Sequence, residues 1–205
     1  MKRSKFYSIV VAIVRPFFFL IYPYKIINYN KVKSNRGFIL ASNHLSITDP
    51  FYLIIAMKNY SVNFMAKIEL FSNKFMKWFL PKMGAFPVER GSGDMSTIEY
   101  AEHLIENNQI LGIFPEGTRS KDGNIGRGRS GVAMIAGATK SDVMPVRIIP
   151  KTKDNKVHPF HKTYIVFGDM IKFEELGIEK NAPSEFRTAS RLIMERIAGL
   201  KEDEG

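Results

Sequence analysis

The sequence has no cysteine, one tryptophan and four histidines among its 205 residues. Without cysteine there is no disulfide framework, no thiolate nucleophile and no thiolate-bound metal. A bilayer-spanning helix is also missing from the pattern. Spanning takes ~18 or more uncharged apolar residues, whereas the apolar run Phe6–Val14 ends after nine at Arg15-Pro16. No small-x-small cleavage site follows, which argues against a secretory leader. Acidic residues are absent from positions 1–48, which carry eight Lys/Arg; the rest of the chain holds 22 basic and 20 acidic residues. The net charge of +10 therefore belongs to one end. A uniformly basic domain would suggest nucleic acid. Basic residues interleaved with Tyr7, Phe17, Phe18, Phe19, Tyr22 and Tyr24 suggest an anionic membrane surface instead, and no nucleic-acid partner is expected.

What is present alternates. Short apolar runs at Gly37–Ala41, Val62–Ala66, Ala85–Val88, Ile110–Phe114, Val143–Ile149 and Thr163–Phe167 read as strands. Between them lie helical patterns at Phe51–Met57, Phe75–Met83, from about Met95 (capped by Asp94) to Asn107, and at Gly131–Thr139; a last helix begins near Pro183. The pattern over 75–83 suits either a core-facing helix or a second membrane contact. The expected fold is one α/β domain, residues 36–200, with a mostly parallel mixed sheet flanked by helices. An apolar helical membrane anchor within residues 1–35 precedes it, and a disordered tail, 201–205, follows.

The stretch Asn43-His44-Leu45-Ser46-Ile47-Thr48-Asp49-Pro50 follows the first apolar run. Residues five apart are not neighbours on a helix and lie on opposite faces of a strand. His44 and Asp49 meet only if the chain turns between them, from a strand end into a helix. Thr48 or Asp49 suits the N-cap and Pro50 the first helical position. Taken alone, the stretch reads as a capped helix beside a loop histidine. A second stretch, Phe114-Pro115-Glu116-Gly117-Thr118-Arg119-Ser120, changes that reading.

Together the two stretches resemble the N-H-x4-D and F-P-E-G-T-R-S blocks of the glycerophospholipid acyltransferase family, closest to its lysophosphatidate-acylating members. Gly84–Arg90 is similar to a third family block, with Phe86 where an aliphatic residue is usual, and Met144–Ile148 to a fourth. The resemblance covers roughly residues 37–168. It implies transfer of a fatty acyl group from an acyl carrier protein or coenzyme A thioester to the sn-2 hydroxyl of lysophosphatidate, giving phosphatidate. It also implies a His44/Asp49 general-base dyad, no acyl-enzyme, and no cofactor or metal. The motif loop Glu116-Gly117-Thr118 would shape the site, with Glu116 paired to an arginine and backbone N–H groups near Gly117 meeting the oxyanion. Arg119, then Arg90, then Lys67 are the expected cations for the acceptor phosphate. The protein is expected at the cytoplasmic face of the membrane, monotopic or peripheral.

Glycerol 3-phosphate or another lysophospholipid is the alternative acceptor, and a non-catalytic basic membrane-binding module the alternative of another class. Gly126-Arg127-Gly128-Arg129-Ser130-Gly131 satisfies G-x-G-x-x-G, but no strand precedes it directly and no acid follows about twenty residues on, so a dinucleotide fold is not expected. Its two arginines suggest an anion grip. His158 and His161 lack a carboxylate cluster around them, and no metal site is expected there.

Overall fold

The structure, a computed structural model, describes residues 4–58, 60–88 and 95–202. Seven strands form one sheet: β1 (Tyr24–Ile27), β2 (Phe38–Ser42), β3 (Val62–Lys67), β4 (Ala85–Val88), β5 (Ile110–Ile113), β6 (Val143–Pro150) and β7 (Thr163–Phe167). Their spatial order is β1-β7-β6-β2-β5-β3-β4. The five strands from β6 to β4 run parallel, while β7 is antiparallel to β6 and β1 parallel to β7. The expected single, mostly parallel α/β sheet is present.

Both faces are covered, which explains why the central strands read as continuous apolar runs. One face packs Ile39, Ala41, Leu111 and Ile113 under α4 (Met95–Glu106), α5 (Gly131–Thr139) and α6 (Pro183–Gly199). The other packs Phe38, Leu40, Phe64 and Ile110 under α1 (Lys5–Ile21) and α2 (Asp49–Ala56). The remaining helix, α3 (Lys74–Lys82), buries none of its residues, while Met83, just past its end, packs half-buried on the core, so the core-facing reading of 75–83 holds for that residue only in part.

The N-terminal region differs from expectation in two ways. Arg15-Pro16 does not break α1, which runs through Pro16 as one helix of 17 residues. Residues 24–27, counted with the anchoring segment, form an edge strand of the sheet, so the expected boundary at residue 36 runs through the fold. α1 has two unlike sides. Tyr7, Val11 and Phe18 are buried, while Ile13, Phe17 and Leu20 are exposed. No helix among the described residues is long and apolar enough to cross a membrane. Of the tail, residues 203–205 lie outside the described residues, as does Asp94; Glu202 pairs with Lys151.

Candidate active site

The parallel strands bring the loops after β2, β5 and β3 to one edge of the sheet, where α/β folds collect their ligands. Leu40 is level with Gly112, Gly112 with Phe64, and Lys67 with Val88. Asn43 ends β2 in an unforeseen way. Its side chain donates to Ile148 O at 3.0 Å and accepts from Ile148 N at 2.8 Å. The amide thus extends the β2–β6 ladder by one step while the main chain turns away.

That turn brings His44 and Asp49 together. His44 Nδ1 lies 2.8 Å from Asp49 Oδ2, and the same oxygen accepts from Leu45 N at 2.6 Å and Ser46 N at 2.7 Å. Asp49 is fully buried, and its Oδ1 has no partner among the described residues. Burying a carboxylate is costly unless donors converge on it, and here three converge on Oδ2. A carboxylate oxygen that accepts from two main-chain N–H groups suits a third donor, the role that Nδ1–H of His44 fills in one of its two tautomers. Thr48 occupies the N-cap position without a capping side-chain bond. Its hydroxyl donates to Ser46 Oγ at 3.0 Å instead, and Ser46 belongs to the turn.

The imidazole is also held by its faces. The Phe114 ring stacks on it at 4.1 Å and 17°, and Phe64 stacks on Phe114 at 5.8 Å and 15°. Gly112 makes room for this ladder, since a Cβ there would come within 2.3 Å of the Phe64 ring. Neither the stack nor the glycine had a local sequence signal.

Glu116 fixes the loop, and among the described residues it does so without the expected arginine. Its Oε2 accepts from His44 N at 2.6 Å and its Oε1 from Gly126 N at 2.7 Å. Burial pushes its carboxyl above the ordinary glutamate range, against the downward pull of these two N–H groups. Ser120 N donates to His44 O at 2.8 Å, completing the join between the two motif loops. Gly117 N, an expected oxyanion donor, instead donates to Phe114 O at 3.0 Å and closes a turn with φ +70° at Gly117. An added Cβ at Gly117 would approach Arg129 Cδ to 3.0 Å, so the Arg129 stem lies across the motif loop. Thr118 is exposed beside it.

Of the expected phosphate cations, Arg119 is exposed at the end of this loop and makes no ion pair among the described residues. Lys67 stands at the end of β3 but pairs with Glu69 at 2.7 Å, an exposed contact of little energetic weight. Arg90 lies outside the described residues, two positions beyond Val88, the strand partner of Lys67.

Comparison with known proteins places the chain. The family model described as Acyltransferase matches residues 24–149. The chain is 29% identical over 180 residues to the 1-acyl-sn-glycerol-3-phosphate acyltransferase of Bacillus subtilis, covering 86% of this chain and 87% of that one. It is 34% identical over 178 residues to the Streptococcus pneumoniae protein of the same name, covering 86% and 65%. The fold resembles that of the crystal structure of the 1-acyl-sn-glycerophosphate (LPA) acyltransferase PlsC from Thermotoga maritima. The TM-score is 0.67 at 22% identity, over 96% of this chain and 80% of the other.

Proposed function

The chain belongs to the acyltransferase family, and on that premise we propose that it acylates the sn-2 hydroxyl of lysophosphatidate from an acyl thioester, forming phosphatidate. The observation that carries the mechanism is the 2.8 Å contact between His44 Nδ1 and buried Asp49. With Nδ1 engaged, Nε2 is the nitrogen left to act as the base. Nε2 takes the hydroxyl proton as the acceptor oxygen attacks the thioester carbonyl. The tetrahedral intermediate then collapses, the C–S bond breaks, and the departing thiolate recovers the proton from the imidazolium. A positioned base of this kind contributes ~10²–10⁴-fold. Ser46 takes no part, since its hydroxyl holds the turn.

The acceptor phosphate is assigned to Arg119, supported by Lys67 and Arg90, with acyl carrier protein or coenzyme A as the donor's leaving group. The enzyme rests on the cytoplasmic leaflet, held by the outer side of α1 and by the basic residues around it. Supplying the purified protein with an acyl thioester and either lysophosphatidate or glycerol 3-phosphate, and identifying the products by mass, tests this reading. Phosphatidate from lysophosphatidate is expected. Product from glycerol 3-phosphate alone would reassign the acceptor, and no product from either would leave a non-catalytic membrane-binding module.

A further inference from the structure

Amphipathic helices ordinarily bury their apolar side on the core, but α3 buries none of its residues and reaches the core only through half-buried Met83 at its end. Together with the 3-10 turn before it (Ile68–Phe71), it displays Ile68, Leu70, Phe75, Met76 and Trp78, each at least 40% exposed. These side chains are not scattered. Phe75 stacks on Phe79 at 5.5 Å and lies 6.1 Å from Trp78. The cluster continues into α1, where Phe6 meets Trp78 edge-on at 5.6 Å and Phe79 at 6.4 Å. α3 therefore shares a layer with α1 and α2, the helix that begins at Asp49. A contiguous apolar surface of this kind marks an interaction site.

The charge around the patch indicates what covers it. Across the patch, residues 67–88 carry Lys67, Lys74, Lys77 and Lys82 against one acid, Glu69, which pairs with Lys67 at 2.7 Å. The Lys82 ammonium sits 4.4 Å over the Trp78 ring and 5.3 Å from the Phe6 ring. Aromatic rings with lysines at their edge suit the boundary between acyl chains and anionic headgroups. A transient acidic protein partner would use the lysines but would leave this much apolar surface without a role.

We propose that α3 and its preceding turn form a second bilayer contact, continuous with α1 through Phe6, whose partner is an anionic lipid surface. This rests on the reading of the protein as acting on a membrane-resident acceptor. With two contacts in one layer, the protein has a fixed attitude on the bilayer rather than a single tether.

Trp78 is the chain's single tryptophan, so the full-length protein carries its own probe. Vesicles of phosphatidylglycerol should shift its emission to the blue, brominated acyl chains should quench it, and iodide should quench it less than in solution. Neutral phosphatidylcholine vesicles should do so weakly. Phe75→Ser should lower partition into the anionic vesicles by roughly ten-fold and leave turnover of a short-chain, water-soluble lysophosphatidate unchanged. Co-sedimentation with unaltered Trp78 emission and full iodide access would overturn the α3 contact while leaving both α1 and the catalytic reading in place. An emission change with an acidic carrier protein but not with vesicles would replace the lipid by a protein. Failure to sediment at all would remove both membrane contacts, and product formation from soluble acceptor would still judge the chemistry separately.

Discussion

The backbone N–H of His44 donates to Glu116 Oε2 at 2.6 Å across 72 residues of sequence, so the motif after β5 sets the position of the histidine that follows β2. Glu116→Ala leaves the N–H groups of both His44 and Gly126 without their acceptor. An unsatisfied buried donor costs about 1–3 kcal/mol. Turnover should fall by ten-fold or more, with Glu116→Gln intermediate because its one carbonyl oxygen still serves one donor. Steady-state kinetics beside a melting curve checks this; full activity in Glu116→Ala would show that the join is dispensable.

The dyad itself gives a sharper expectation. His44→Ala should lower kcat by roughly 10² or more without loss of fold, the scale of a positioned base. Asp49→Asn should be strongly impaired as well, because an amide no longer favours the Nδ1–H tautomer. A folded His44→Ala protein that turns over normally would end the general-base mechanism.

For Arg119 the effect should fall on the acceptor. Charge-assisted contacts contribute about 1.5–3 kcal/mol, so Arg119→Ala should reduce kcat/KM for lysophosphatidate by roughly ten- to two-hundred-fold. Arg119→Lys should recover part of that, keeping the charge and losing the planar fork. The donor KM should stay put. Equal losses for donor and acceptor would move the phosphate to Arg90, Lys67 or Arg129.

The Phe64–Phe114–His44 ladder predicts that a single methyl group on the sheet is felt at the imidazole. Gly112→Ala must displace the Phe64 ring, an overpacking that costs about 1–3 kcal/mol. Lower thermal stability together with a lower kcat is expected, and Gly112→Ala combined with Phe64→Leu should restore both in part. Stability lost with kcat intact would uncouple the stack from catalysis.

Acid sensitivity should come partly from Asp142, far from the site at the start of β6. It is buried, and Arg36 at 2.8 Å, Lys172 at 3.0 Å and Phe173 N at 3.1 Å meet its carboxylate. Burial pushes its pKa up, but the Lys172 and Phe173 hydrogen bonds and the Arg36 charge outweigh that and hold it below the ordinary aspartate range. The unfolded chain then binds the proton more readily, so this stabilisation is present above the ordinary carboxylate pKa of about 3.9 and is lost as pH falls through the lowered value. Asp142→Asn should destabilise the protein at pH 7 by on the order of 1–3 kcal/mol, and the gap in denaturation midpoints should close in acid. A gap independent of pH would mean that shape, not charge, holds the site.

Much of this was legible in the chain. The spacing of five between His44 and Asp49 required a strand-to-helix turn, and the apolar runs gave β2, β3, β5, β6 and β7 within a residue or so. β1 was hidden because Tyr24-Lys25-Ile26-Ile27 is four residues at the end of a longer apolar stretch, and its partner β7 is remote in sequence. The Glu116 bonds were illegible for another reason. A carboxylate that accepts from main-chain N–H groups leaves no complementary residue type to find. Asn43 belongs to the same class, a side chain standing in for a strand residue against Ile148.

The two-sided character of α1 limits how the protein can be handled. Tyr7 OH accepts from Val62 N at 3.4 Å, and Phe18 packs edge-on against Tyr52 at 5.0 Å. Cutting away the helix to obtain a water-soluble enzyme would therefore open the hydrophobic interior, and cutting past Tyr24 would strip a strand as well. Solubilisation has to be done by repainting rather than by amputation. Serines at Ile13, Phe17 and Leu20 change only the outward side, so such a protein should bind vesicles more weakly, with α3 as the remaining contact, while keeping its melting temperature within a few degrees. A truncated form would be expected to aggregate before its chemistry could be assayed.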